Sequence, residues 1–314
     1  MDKFSPVDMS VWQGRQDPED GELALRWHDK VQPWPQAGRA APGVALVGFA
    51  CDEGVRRNKG RVGAAGAPLA VRKLLANTAW HLGRPVYDSG DLCCDDGDLD
   101  TAHGSLAERV ARLLDEGHFP LVLGGGHEVA FGSWSGLNLH LGGRGRVGII
   151  NFDAHFDLRM KLEQASSGTP FFQIAEQCAA QGSPFTYACL GVAETANTRA
   201  LFARAEALGV WHVLDEAMTP AELPALLSGL DAFIARCDHL YLTIDLDVLP
   251  AAVMPGVSAP AARGVELAVI EPLIAHIRAS GKLRLADLAE YNPSLDQDNR
   301  SARVAARLVH QLTK

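Results

Sequence analysis

The chain has 314 residues, with 29 Lys and Arg against 38 Asp and Glu, a net charge of −9, and 47% apolar residues. An acidic chain with no basic tract is not built for nucleic acid or for an anionic membrane surface, and no run of about 18 apolar residues offers a transmembrane helix. The start, MDKFSPVDMS, has no apolar signal core, and the cysteines at 51, 93, 94, 178, 189 and 237 form no C-x-x-C, so buried thiols in a reducing cytoplasm are expected.

In chain order, residues 1–40 mix Trp12, Trp27, Trp34, Pro33 and Pro35 with charges and turn formers, and read as an N-terminal arm. From residue 41 to 314 short apolar runs alternate with helical patterns. The expected strands are 43–50, 84–90, 119–125, 146–153, 185–192, 209–215, 239–247 and 283–291. The expected helices are 67–77, 104–117, 128–140, 170–181, 196–208, 219–236, 265–280 and 300–313. Thr219 before Pro220 predicts a capped helix start, and Gly281 predicts a helix stop. Strands apolar throughout, each followed by a helix, predict a single α/β domain whose parallel sheet is covered on both faces. The pattern alone does not separate an open sheet from a barrel. Either way the chemistry belongs at the carboxyl ends of the strands.

Those ends are rich in charge. The run at 119–125 leads into Gly124-Gly125-Gly126-His127-Glu128, that at 146–153 into Asp153-Ala154-His155-Phe156-Asp157, that at 239–247 closes on Asp245-Leu246-Asp247, and that at 283–291 reaches Glu290. Clustered carboxylates repel unless a cation sits among them. On an extended segment residues 153, 155 and 157 share a face, as do 245 and 247. Carboxylates plus two imidazoles suit a pair of Mn²⁺ ions, whereas a structural zinc site favours thiolates. Two ions roughly 3.5–4 Å apart lower the pKa of a shared water enough to yield hydroxide at neutral pH.

The motifs GGGHE (124–128), NFDAHFD (151–157), TIDLDVLP (243–250) and DLAEYNPSLD (287–296) resemble the ureohydrolase family, the arginase and agmatinase group of dinuclear manganese enzymes. The resemblance implies an open, doubly wound arginase-like α/β sheet of about eight strands, two Mn²⁺ per subunit, and assembly as trimers or hexamers. It implies that one ion takes His127, Asp153, Asp157 and Asp245. The other takes Asp153, His155, Asp245 and Asp247, with Asp153 and Asp245 bridging. Asp157 becomes a proton relay and Glu290 the partner of the substrate's amidine or guanidinium group.

Two departures narrow the reading. Gly126 stands where arginases and agmatinases usually carry an acid, and Ser166-Ser167-Gly168-Thr169-Pro170-Phe171 replaces their H-G-x-P stretch. With residues 48–64 this resembles the branch that cleaves N-formimidoyl-L-glutamate to L-glutamate and formamide in histidine degradation, by hydroxide attack on the amidine carbon. A substrate with two carboxylates calls for fixed donors, preferably Arg. Arg57, Asn58 and Arg61 after the first strand, together with Arg159, Ser167 and Thr169, are the expected substrate-binding residues. A guanidino acid such as guanidinobutyrate, agmatine, or a non-catalytic metal-binding relative are the alternatives.

Overall fold

The computed structural model describes residues 3–35 and 40–314; residues 1, 2 and 36–39 of the expected arm lie outside the described residues. The strands are β1 (Phe4–Ser5), β2 (Gln32–Pro33), β3 (Val44–Ala50), β4 (Val86–Cys93), β5 (Phe119–Leu123), β6 (Val147–Phe152), β7 (Thr186–Val192), β8 (Trp211–Leu214), β9 (His239–Asp245) and β10 (Leu283–Ala289). They form one sheet in the order β1-β4-β3-β5-β10-β9-β6-β7-β8, with β2 added beside β4. The eight longer strands are those expected from the sequence and run parallel; only β1 is antiparallel, to β4. Two short strands from the N-terminal segment are the addition.

The helices are α1 (Trp27–Lys30), α2 (Glu53–Arg57), α3 (Ala67–Ala76), α4 (Leu99–Asp115), α5 (Val129–Leu141), α6 (Pro170–Gln181), α7 (Arg199–Ala207), α8 (Leu223–Ile234), α9 (Leu267–Ala279) and α10 (Arg300–Thr313). Alternate strand residues feed two cores. Leu46, Leu121, Ile150, Leu242 and Leu288 pack with α3, α8, α9 and α10 on one face. Val47, Val122, Ile149, Tyr241 and Leu285 pack with α4, α5, α6 and α7 on the other. Burial on both faces is why these strands are apolar at nearly every position. Among the described residues no helix is long and apolar enough to cross a membrane.

Several element ends differ from expectation for identifiable reasons. Helix α4 starts at Leu99 because the Asp98 side chain accepts the Thr101 N–H and caps it. The expected helix from 219 opens instead as a 3₁₀ turn, Pro220–Glu222, and Thr219 makes no side-chain cap. Pro224 lacks an N–H and fits only the first turn, so α8 begins at Leu223. Gly281, at φ 68°, follows α9 in the left-handed conformation expected of a helix stop.

Strand order positions the site. After the two short N-terminal strands the winding starts at β3, moves outward to β4, returns to β5 and crosses to β6, and β9 and β10 later fill the gap. The carboxyl ends of β5, β10, β9 and β6 are thereby consecutive neighbours, at the reversal of winding where open α/β sheets bind ligands.

Candidate metal centre

The four neighbouring strand ends deliver all the charged motifs to one place. His127 Nδ1 lies 3.1 Å from Asp153 Oδ2, 2.9 Å from Asp157 Oδ2 and 3.1 Å from Asp245 Oδ2. His155 Nδ1 lies 3.1 Å from Asp247 Oδ2 and 3.5 Å from Asp153 Oδ1. These form two adjoining groups able to hold a metal ion: His127, Asp153, Asp157 and Asp245, and Asp153, His155 and Asp247. Asp153 belongs to both, while Asp245 falls in the first alone. The donor chemistry fits divalent cations that accept oxygen and imidazole. His127 Nδ1 and Asp247 Oδ1 are buried without a hydrogen-bond partner in the protein, the condition of atoms waiting for an ion.

The backbone route to this arrangement is not simple strand alternation. Strand β6 ends at Phe152, before Asp153, and Asp157 sits in a turn with φ 47°. Asp245 is the last residue of β9, and Asp247 lies in the 3₁₀ turn 246–248. Local hydrogen bonds hold these turns. The His155 N–H donates to Asp153 Oδ1 at 2.6 Å, and the Asp247 N–H to Asp245 Oδ1 at 2.8 Å. Asn151 Nδ2 donates to Asp153 Oδ2 at 2.9 Å. Asn197, missed in the sequence, accepts the Phe156 N–H and donates to the Ala154 carbonyl, pinning the loop from a distant segment.

The three glycines are steric requirements. A Cβ on Gly125 would stand 1.6 Å from the Cys51 carbonyl oxygen, and one on Gly126 would stand 2.2 Å from Glu128 Oε2. The buried Glu128 carboxylate thus fills the space a side chain at 126 would need, and its Oε1 accepts the Gly54 N–H at 2.9 Å. Glu290, at φ 67°, accepts the His127 N–H on Oε1 at 2.8 Å. Strained backbone of this kind persists where surrounding contacts over-determine it.

Electrostatics follow from crowding. Burial opposes protonation of His127, yet Asp153, Asp157 and Asp245 together hold its pKa well above the imidazole range. The Asp247 charge raises His155 likewise, against burial. Burial and the neighbouring Asp247 and Asp153 charges raise Asp245. Burial and the Glu128 charge push Glu290 up to about 8, and burial pushes Glu128 up to about 7.

Above the cluster opens a cavity of about 480 Å³, lined by His155, Asp157, Asp245, Asp247 and Glu290 on its acidic side and by Asn58, Lys59, Arg61, Arg159 and Ser167 on its polar rim. His127 and Asp153 lie beneath it, fully buried. Two expected substrate contacts are corrected. Arg57 does not line the cavity: helix α2 turns it back to Glu53 at 2.8 Å and to the carbonyls of Gly97 and Ala165. Thr169 is buried away from the cavity, its hydroxyl bonded to Ser166 and Gln173. Arg61 reaches the rim, but its guanidinium donates to the Val257 and Ser258 carbonyls. Asn58 Nδ2 donates to Ser167 Oγ at 3.2 Å, both at the rim. Arg159 crosses over Gly168, where a Cβ would come within 2.9 Å of its Cδ. Lys59, not singled out among the expected contacts, faces the cavity from a left-handed residue with φ 63°.

Comparison with known proteins bears on this geometry. The Arginase family profile matches residues 42–314. The formimidoylglutamase of Aeromonas hydrophila subsp. hydrophila is 96% identical over 314 residues, 100% of both chains. The crystal structure of Bacillus subtilis formimidoylglutamase superposes with a TM-score of 0.83 at 22% identity, covering 96% of this chain and 93% of that one. A variant of Trypanosoma cruzi formiminoglutamase solved with Mn²⁺ superposes with a TM-score of 0.78 at 26% identity, covering 88% of this chain and 94% of that one. With the profile spanning nearly all of the chain beyond the N-terminal segment, the protein belongs to the arginase family.

Proposed function

We propose that this protein is a formimidoylglutamase, hydrolysing N-formimidoyl-L-glutamate to L-glutamate and formamide with two Mn²⁺ ions. The observation that carries the reading is the polarity of the cavity: an acidic floor ending in Glu290 and a cationic rim of Lys59 and Arg159. The substrate has the matching polarity, a cationic amidine at one end and two carboxylates at the other. The name of the Aeromonas hydrophila relative supports the same substrate. Residues 1–40 form an arm and 41–314 the catalytic domain in this reading.

His127, Asp153, Asp157 and Asp245 would hold one ion, and Asp153, His155 and Asp247 the other. When bound, the ions supply a water acidic enough to act as nucleophile at neutral pH. Glu290 has one oxygen committed to the His127 N–H, and the other receives an amidine N–H. That bond fixes the formimidoyl carbon over the acidic floor. Asp157, at the cavity wall, takes the proton of the attacking water and returns it to the departing glutamate nitrogen. Lys59 and Arg159 bind the carboxylates, Arg159 in the bidentate manner its planar fork allows, while Asn58 and Ser167 orient the chain between.

The test is product release from manganese-loaded protein, with formimidoylglutamate, guanidinobutyrate, arginine and agmatine as substrates. Glutamate and formamide from formimidoylglutamate, with no urea from the others, is the expected result. Urea from a guanidino substrate alone would overturn the substrate while keeping the metal chemistry. No turnover of any of them by metal-loaded protein would overturn the hydrolytic reading.

A further inference from the structure

Glu128 is a buried carboxylate that the proposed chemistry does not use. It lies one residue beyond the candidate metal ligand His127 and reaches helix α2. There its Oε1 accepts the Gly54 N–H at 2.9 Å and the Cys51 thiol at 3.6 Å. Its Oε2 is buried with no hydrogen-bond partner in the protein. Burying such a group costs far more than burying an apolar side chain of the same size. Room for it is kept at two glycines, since a Cβ on Gly54 or on Gly126 would overlap the Glu128 carboxylate. An apolar side chain would fill this space at lower cost, so what the carboxylate adds is its hold on the Gly54 N–H.

That hold opens a short line to the cavity rim. The Gly54 carbonyl accepts the Asn58 N–H at 2.9 Å, which closes α2. Lys59 follows in the left-handed conformation, its N–H on the Arg56 carbonyl at 3.1 Å and the Gly60 N–H on the Val55 carbonyl at 2.9 Å. Glycine usually completes this helix-ending pattern; a lysine there is strained and keeps its place through the helix it ends. Asn58 and Lys59 both line the cavity. Arg57 links α2 sideways to the Gly97 and Ala165 carbonyls. The far end of the segment is tied separately, by Asn292 Nδ2 donating to the Arg61 and Val62 carbonyls and by Asp52 accepting the Gly63 N–H. Glu128 is the side chain that joins α2 to the loop carrying His127.

We infer that Glu128 is a positioning residue for substrate specificity: by holding α2 through the Gly54 N–H it places Asn58 and Lys59, and so sets the distance between the acidic floor and the rim that binds carboxylates. The inference rests on the formimidoylglutamate reading above and deepens it. A fixed distance between the amidine and carboxylate sites selects the length of the substrate. The rim meets the end of the substrate that does not react. Losing the hold therefore weakens ground state and transition state alike, which raises KM and leaves kcat.

The experiment compares Glu128→Met, which fills the space without an acceptor, with Glu128→Gln, which keeps Oε1 as an acceptor. For Glu128→Met, KM for formimidoylglutamate is expected to rise about tenfold, with kcat and bound Mn²⁺ within about twofold of wild type. Deuterium uptake across residues 52–60 should quicken about tenfold, a reading independent of turnover. Glu128→Gln should stay within about twofold of wild type in both, which a role of charge or bulk alone would not give. Combined with Lys59→Ala, Glu128→Met should leave KM within about threefold of Lys59→Ala alone, because it acts through that residue; independent effects would multiply. Should Glu128→Met fail to fold, Gly54→Ala carries the test, since its Cβ drives α2 off the carboxylate and raises KM in the same way. Wild-type KM in Glu128→Met, Glu128→Gln behaving as Glu128→Met, or multiplying effects in the double variant would overturn the inference and leave the proposed reaction standing. A fall in kcat or in bound metal with KM unchanged would do the same. Wild-type protein that does not hydrolyse formimidoylglutamate would overturn both.

Discussion

Two buried charge clusters sit in this sheet, and they are resolved in opposite ways. At the edge near the N-terminal segment, Asp88 on β4 is fully buried and Arg72 on α3 is 3% exposed. The Arg72 guanidinium donates to both oxygens of Asp88 and to Asp91, and Trp12 Nε1 adds a bond to Asp88 at 2.9 Å. That cluster is closed within the chain: the carboxylates meet a fixed cation with several hydrogen bonds. At the carboxyl ends of β5, β6 and β9, four aspartates meet two histidines and, among the described residues, no arginine or lysine. Only protons on the imidazoles and carboxyl groups, or ions from outside, can balance it. A buried carboxylate cluster is therefore informative only after its protein cations have been counted. The first cluster holds the fold, and the second holds charge in a form that metal can complete.

Substitutions can break the comparison, beginning with the largest effect. Asp153→Asn removes the carboxylate common to both metal groups and is expected to lower turnover by 10³-fold or more, about 4 kcal/mol, with loss of bound Mn²⁺. Elemental analysis of the purified variant beside a formamide assay checks both. Arg72→Ala strands the fully buried Asp88 carboxylate, with the partly exposed Asp91 beside it, and is expected to cost about 3–5 kcal/mol of stability. Urea unfolding measures it, and folded Arg72→Ala protein should still bind the wild-type complement of metal. If it lost metal instead, the two clusters would not be independent.

The pH dependence of the metal-free protein sharpens the contrast. His127 and His155 have folded values above the ordinary 6.5, so their stabilising contribution is complete below about 6.5 and is lost as pH rises through the folded values. Glu128 and Glu290, raised to about 7 and about 8, carry the same sign, because the folded state holds protons that the unfolded state releases above about 4.5. Metal-free protein should thus lose stability between pH 6 and 9, by about 1.4 kcal/mol per pH unit for each extra proton held. Saturating Mn²⁺ replaces those protons and should flatten the slope. Thermal melts across the range, with and without metal, test the sign; a metal-free melt that rose with pH would contradict the electrostatics of the cluster.

Smaller effects belong to the rim. Arg159→Ala or Lys59→Ala should raise KM roughly tenfold, the value of one charge-assisted hydrogen bond, with kcat nearly kept. Steady-state kinetics of each variant decide this. Arg56→Ala, exposed and paired with Glu53 on its own helix, should change neither KM nor stability by more than about 0.5 kcal/mol.

The legibility of these regions in the sequence differs for physical reasons. The metal motifs were readable because Asp and His directly after apolar strands are chemically costly, and because parallel strands deliver their carboxyl ends to one edge. The details were less so. Residues 153–157 reach the site through a turn held by Asn197, over forty residues away, rather than by extended alternation. The basic stretch after β3 was harder still. Its charges suggested substrate contacts, but Glu53 opens a short helix and Arg57 folds back onto it. An arginine's partner is set by where its helix points, which composition does not report.

What the sequence determined by itself was the alternation of buried strands and helices, and the residue types gathered at four strand ends. Both follow from local chemistry: apolar periodicity dictates burial, and clustered carboxylates demand a cation. Tertiary structure alone decided the order β5-β10-β9-β6 that makes those ends neighbours, the membership of each metal group, and which cations face the cavity. These depend on crossover connections and on contacts between residues far apart in the chain, where packing rather than local preference selects among the alternatives.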